Sequence, residues 1–351
     1  GAGRGRDTAI SRYSRLLNGS SRFWLRMRNS TSLSFSLESY EPLATYSGQV
    51  RQEFEDHLAA ALTAEAQDVV PLLKRGARGG KRLRPILCRL VSDALDGDAH
   101  LAFECGVALE LTHSGALIHD DWIDGDVFRR DAPALWRELG PRTAVLVADL
   151  LIATGSLHGA ITEATSRSLA QAARNLSEGA IADFTDHANY TEAVYLKRIK
   201  RKTGALYATS AELGALVSPR IDLGPLLYHY GECVGIIYQL ADDFVDLLKS
   251  LLTGTPVGDL ALGIPTLPLT RLARLPGYQP WVQAFLEDRD ASLLIANGHP
   301  QDAHRVCEEL LEPWLERSRG YLQELPESTY RDLLELVPSA FATELLQADI
   351  N

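Results

Sequence analysis

The sequence predicts an all-α fold, and three observations carry that prediction. From about residue 46 onward apolar residues recur at helical spacing almost without interruption. No stretch alternates Val, Ile, Thr and Tyr between hairpin turns, so there is nothing from which to build a sheet. The two acidic signatures of the chain, Asp120-Asp121-Trp122-Ile123-Asp124 and Asp242-Asp243-Phe244-Val245-Asp246, each continue an apolar helical run.

Taken in order, residues 1–37 hold seven Arg and one Asp and are rich in Ser. That composition resembles an organellar transit peptide, but Arg outnumbers Lys 29 to 6 along the whole chain, and the sequence opens Gly1-Ala2-Gly3. The expectation is a disordered leader or extension over residues 1–45 and a single all-α domain over 46–351. Gln49 to Lys74 mixes apolar and charged residues at helical spacing and stops between Pro71 and Gly76. Gly79-Gly80-Lys81-Arg82-Leu83-Arg84-Pro85 is a basic turn that opens the helix Ile86–Leu95. Further helices are predicted over Leu101–Asp124, Arg142–His158, Ser168–His187, Thr191–Val217 and Leu226–Leu252. The shorter Leu267–Ala273, Pro280–Ala291, Asp302–Leu322 and Tyr330–Gln347 complete the set. Loops bearing Gly and Pro follow both acidic motifs, Gly125 to Pro133 and Thr253 to Asp259, where lids over a site are commonly found.

Composition narrows the function. An apolar content of 46% supplies a sizeable core. The net charge of −11 hides a leader of +6, which leaves −17 for the body and argues against nucleic-acid binding. No run of about 18 apolar residues exists; the nearest, Ala144 to Ala153, is broken by Asp149, so no transmembrane anchor is expected. Cys88, Cys105, Cys233 and Cys307 are widely spaced, with no Cys-x-x-Cys and no His cluster beside them. That argues against a zinc site or a disulfide framework and suits a reducing, cytoplasmic setting and core roles for the first three.

The chemistry lies in the acidic rows. On a helix the first and last Asp of each motif share a face, about 6 Å apart along the axis. Carboxylates among apolar residues are costly unless protonated, paired or metal-bound. An all-oxygen set is what Mg²⁺ takes, leaving positions for water and phosphate oxygens. Two rows facing one cavity would grip a diphosphate through bridging magnesium. Lys81, Arg82 and Arg84, the pair Arg129 and Arg130, and Lys202 could hold a second anion.

These motifs, together with His113-Ser114 through Asp124, Ala148-Asp149-Leu150-Leu151, Lys202-Thr203, Gln239 through Asp246, and Gly263-Ile264-Pro265-Thr266-Leu267-Pro268, follow one order over roughly residues 45–345. The set resembles the trans-isoprenyl diphosphate synthases. The resemblance implies the isoprenoid-synthase helical bundle around a central cavity and, usually, a homodimer. It implies Mg²⁺, about three ions per site when diphosphate is bound, held by Asp120, Asp121, Asp124 and Asp242. Asp243 and Asp246 would act through metal-bound water or by supporting the ligands. Arg129, Lys202, Thr203 and Gln239 would contact the allylic diphosphate or its nascent cation, and Lys81, Arg84, His113 and Arg130 the isopentenyl diphosphate. The implied reaction ionises the allylic substrate, lets the isopentenyl double bond attack the cation, and loses a proton, in a dry pocket.

The chain departs from the family pattern in places. Gly254 precedes Thr255 where many members have Lys, Asp131 and Ala180 replace a common Gly and Gln, and the C-terminus lacks a basic tail. In the family, bulky residues four or five positions before the first motif cap the product tunnel. Here those positions are Ala116 and Gly115, with Thr112 and Ala108 further down, all small. The expectation is a product longer than C15, with Leu111 or His158 as an alternative floor. Two other readings remain: a terpene cyclase on the same fold, for which an intact isopentenyl site would be superfluous, and a non-catalytic subunit of a heteromeric synthase, in which degraded acidic motifs would be expected.

Overall fold

A computed structural model describes residues 40–64, 66–130, 132–185 and 190–350. The Arg-rich leader and Asp131 lie outside them, and so does the end predicted at His187. The chain forms α1 (Glu41–Ala61), α2 (Val70–Gly76), α3 (Leu83–Ala94), α4 (Ala99–Asp124), a ribbon β1 (Phe128–Arg129) and β2 (Ala132–Pro133), α5 (Leu135–Leu139), α6 (Pro141–His158) and α7 (Glu163–Thr185). Then come α8 (Glu192–Ile199), a π-helical turn Lys200–Gly204, α9 (Ala205–Leu216), a 3₁₀ turn Ile221–Leu223 and α10 (Gly224–Thr253). Short α11 (Gly258–Ala261), α12 (Leu267–Leu272), α13 (Gln279–Asp288) and α14 (Ser292–Asn297) lead to α15 (Pro300–Leu322) and α16 (Thr329–Ile350).

The all-α prediction holds, with three differences. The first helix begins at Glu41, inside the segment expected to be a leader, because Leu43, Val50, Phe54 and Leu58 bury one continuous face. Its predicted continuation to Lys74 is two helices, separated at Leu62–Val69. The loop after the first acidic motif contains a two-stranded ribbon, Phe128 opposite Pro133 and Arg129 opposite Ala132. Strands of two residues leave no alternation to be seen in the sequence.

Helices α4 and α10 stand at the centre. Of the small residues expected to open a tunnel on α4, Gly115, Thr112 and Ala108 lie along a close seam with α6. A Cβ at Gly115 would lie 2.6 Å from Ile152 Cγ1 and 2.7 Å from the Ala148 carbonyl, both on α6. A Cβ at Gly155 would lie 2.8 Å from the Ala108 carbonyl and 3.3 Å from Thr112 Oγ1. Gly115 and Gly155 thus let two helix backbones approach closely, and Ala116 beside them is half-buried. Helix α4 is also apolar and long enough to cross a membrane by composition, with mean hydropathy 1.2, but 72% of that window is buried inside the bundle. It is a core helix. Cys88, Cys105 and Cys233 are buried, as their apolar neighbours predict.

Candidate active site

The basic turn before α3 separates into three roles. Gly79 and Gly80, at φ +72° and +104°, put the backbone where a side chain would be strained. Their bare surface seats Arg130: a Cβ on Gly80 would come 2.7 Å from its Nη2. Arg130 Nη1 donates to the Arg78 carbonyl at 2.7 Å, fixing the ribbon against this turn. Arg82 is buried, with Nη1 donating to Glu110 at 2.6 Å, Nε to Glu55 at 2.7 Å and Nη2 to the Ala77 carbonyl at 3.1 Å. It ties α1, α3 and α4 together, and its donors are spent on protein. Lys81 Nζ reaches the Glu344 carbonyl on α16 at 3.3 Å.

Arg84 differs. Its guanidinium stacks 4.6 Å above the Tyr207 ring, and its buried Nε has no hydrogen-bond partner among the described residues. Burial holds the His113 imidazole well below the usual histidine range, helped by Arg84, Arg130, Arg129 and Arg82. Arg130 is itself lowered from the ordinary guanidinium value, chiefly by burial, with Arg82, Arg129 and Arg84 adding repulsion against the pull of Glu110. Arg82 is neutralised by Glu110 and Glu55, and Arg129 by Asp121, to which its Nε donates at 2.7 Å. Arg84 and Arg130 therefore leave positive charge with no carboxylate bonded to it among the described residues, around a neutral histidine. That arrangement fits a multiply charged anion.

The first acidic row lies beside this cluster. Asp121 is buried and turned to Arg129, away from the role of a free ligand. Asp120 and Asp124 make no side-chain hydrogen bond among the described residues, and their i,i+4 spacing puts them on one face. Burial raises Asp120 above its ordinary value; Lys202 and Arg129 oppose this, while Asp124 and Asp121 add to it. A cation there would relieve both the desolvation and the repulsion. His119 Nε2 sits 3.4 Å from Asp149 on α6.

The second row is held differently. Asp243 is buried, accepting from the Tyr195 hydroxyl on one oxygen and from Gln239 Nε2 at 2.8 Å on the other. Thr203 Oγ1 donates at 2.6 Å to Gln239 Oε1, which fixes the amide so that its NH₂ faces Asp243 and, at 3.5 Å, Asp242. Burial first, then Asp259, pushes Asp243 up to about 8. Asp243 is thus buried and held on both oxygens by neutral donors. Asp246 packs against the Gly258 backbone and accepts from the Asp259 amide at 3.4 Å.

The π turn explains how α8 and α9 serve this site. Widening one turn at Lys200–Gly204 brings Lys202 to act on Asp120 and Thr203 to bond Gln239, a use of π-bulges met at functional sites. Gly204 and Gly235 meet closely below it, since a Cβ on Gly235 would lie 2.7 Å from Gly204 Cα. Tyr195 and Tyr207 were not singled out by sequence. Tyr195 stands seven residues, two helical turns, before Lys202, a spacing that could have flagged it. The first loop is tethered where Trp136 Nε1 donates to the Asp126 carbonyl at 2.7 Å, and α5 beyond it is held by the Arg75–Glu138 pair at 2.9 Å.

Fold and site together define an α-helical protein of the isoprenoid-synthase type, with acidic rows on two central helices and an arginine cluster beside the first. Comparison with known proteins agrees. The sequence profile of the family described as polyprenyl synthetase matches residues 71–291, more than half of the chain. The chain belongs to that family. It is 32% identical over 270 residues to heptaprenyl diphosphate synthase component 2 of Bacillus subtilis, covering 74% of this chain and 77% of that one. It is 33% identical over 174 residues to geranylfarnesyl diphosphate synthase of Methanosarcina mazei, 49% of this chain and 59% of that one. The chain spans little more than half the length of several curated relatives it matches. Its structure superposes with a TM-score of 0.70 on a polyprenyl synthase of Caulobacter crescentus complexed with calcium and isoprenyl diphosphate, at 25% identity, covering 88% of this chain and 98% of that one.

Proposed function

We propose that this protein is a Mg²⁺-dependent prenyltransferase that condenses isopentenyl diphosphate with an allylic diphosphate. The observation that carries the reading is a pair of unmatched charges lying side by side. Positive charge collects at Arg84 and Arg130, and negative charge at Asp120 and Asp124. A lone anion would answer only the first and a metal only the second. One diphosphate bound through metal, next to another bound by arginine, answers both.

Asp120, Asp124 and Asp242 would hold the magnesium, with Asp121 contributing once Arg129 shifts to the allylic diphosphate. When bound, the metal supplies charge that stabilises the departing diphosphate. Lys202 would hold that diphosphate from the opposite wall. Thr203 and Gln239 would orient the site, their amide and hydroxyl dipoles facing the developing cation. Arg84, Arg130, His113 and Lys81 would hold isopentenyl diphosphate. A neutral His113 donates one hydrogen bond without adding charge, which suits a site already crowded with guanidinium.

A product longer than C15 rests on Ala116, a small, half-buried residue four positions before the motif, and on the similarity to a heptaprenyl synthase component. A second copy of the chain would cover the face of α6 on which Leu146 and Leu157 are 68% and 78% exposed, with Leu150 between them.

The test is an incubation with labelled isopentenyl diphosphate and farnesyl diphosphate, with Mg²⁺ or with EDTA, read by mass spectrometry. A Mg²⁺-dependent ladder of five-carbon additions is expected, and its end point gives the product length. Diphosphate release without isopentenyl incorporation would overturn the reading in favour of a cyclase. Activity only after adding a second, different subunit would favour the heteromeric alternative.

A further inference from the structure

We infer that the surface where α1, α4 and the end of α6 meet is a binding site for a zinc-class transition-metal ion, formed by His57, His100 and Glu104 and steadied by His158. One donor atom from each of His57, His100 and Glu104 lies within 4.8 Å of the other two. His100 and Glu104 are four residues apart on α4, so their side chains rise from one face. His57 comes across from α1. Its ring is stacked on Phe103 at 4.5 Å and meets His100 edge-on at 5.6 Å, which sets its orientation. Phe103 is braced in turn by the Arg89 guanidinium 4.9 Å away.

The carboxylate is also prepared. His158 Nδ1 lies 2.7 Å from Glu104 Oε2, fixing that oxygen and leaving the other to turn toward the imidazoles. Hydrogen-bonded carboxylates of this kind are the usual support of a metal ligand. A tetrahedral zinc with bonds of about 2.0–2.2 Å needs donors roughly 3.3 Å apart. The exposed His100 has room to close that gap. Two imidazoles and one carboxylate select zinc-like ions over magnesium, which takes oxygen ligands. Glu104 stands sixteen residues from Asp120 on the same helix, about 24 Å away. The ion would therefore staple α1 to α4 without entering the diphosphate site.

The experiment strips the full chain with EDTA, adds Zn²⁺ in the presence of a large excess of Mg²⁺, desalts, and measures bound zinc. The same preparations are followed by thermal unfolding and by the visible spectrum with Co²⁺. One equivalent of zinc per chain is expected in the wild type, with a raised Tm. His100→Ala, at an exposed position, should lose that equivalent and the Tm rise while keeping its Mg²⁺-dependent activity and its Tm in EDTA. His158→Ala should weaken zinc binding by about tenfold or more without abolishing it. Zinc retention in His100→Ala equal to wild type, or no retention by the wild type, would overturn the assignment.

Discussion

Arg82 carries the most sharply defined energetic prediction. Among three basic residues on one short segment, it is the one whose donors the protein consumes: Glu110, Glu55 and the Ala77 carbonyl take Nη1, Nε and Nη2. It is 3% exposed and Glu110 2%, whereas the Glu55 side chain is half exposed. Replacing Arg82 with Met strands the Glu110 carboxylate in the core, and the break of a buried pair from one side costs about 3–5 kcal/mol. Glu55 regains water, so its loss adds at most ~1 kcal/mol. The variant keeps the left-handed backbone, φ 56°, and so recovers no strain. A domain of this size should lose roughly 6–12 °C of Tm, taking about 2 °C per kcal/mol. The double variant Arg82→Met with Glu110→Met should return most of the stability, because both charges leave together. Urea titration and calorimetry of the three proteins measure this, alongside KM for isopentenyl diphosphate below the transition. A single variant that loses under ~1 kcal/mol, or one that keeps its stability while KM rises many-fold, would refute the structural role and return Arg82 to the substrate.

Other predictions follow from the site. In EDTA, Asp243 with its pKa raised to about 8 holds a proton in the folded chain that the unfolded chain releases near 3.8. Its contribution to stability is complete below about pH 4 and declines as pH rises toward 8; Asp243→Asn should flatten that slope in pH-dependent urea melts, and an unchanged slope would refute the assignment. Gly80→Ala meets Arg130 Nη2 and demands φ +104° of a residue with a side chain. It should cost about 1–3 kcal/mol of stability and raise KM for isopentenyl diphosphate well above that for the allylic substrate. Gly115→Phe should destabilise the fold, since its side chain enters the Ala148 and Ile152 seam, while Ala116→Phe should leave Tm nearly unchanged and shorten the product. Equal chain lengths in wild type and Ala116→Phe would remove Ala116 from the tunnel.

Much of this was legible in the sequence because periodicity reports burial. The end of helix α4 at Asp124 is legible because its apolar run ends in the acidic motif and Gly125, whose φ of 75° stops the helix. The first helix was misjudged because Tyr40 to Gly48 reads as a weak pattern, and its membership depends on Leu43 finding a partner far along the chain. The site divides the same way. Residue type and spacing gave the acidic rows, but not that Asp121 faces Arg129 while Asp120 does not. They show three basic residues at the start of α3, but not that one is buried in an ion pair, one bonds a carbonyl within α16 and one stacks on Tyr207. Those distinctions are set by tertiary contact, and no local pattern encodes them.

The second acidic row shows why two copies of one motif need not do the same work. In the first, Asp121 answers to a guanidinium on a ribbon, Arg129, which an arriving diphosphate can draw away. In the second, Asp243 answers to Tyr195 and Gln239, neutral groups rooted in α8 and in its own helix. A charged partner on a ribbon can be exchanged for substrate; a neutral partner in the core cannot answer to substrate charge in that way. Thr203 extends the second arrangement across to the π turn, so the residue next to Lys202 is locked to the residue that orients Asp243. In the proposed reaction, which would ionise one diphosphate while holding another, the first row would respond to substrate and the Asp243 side of the second would stay fixed.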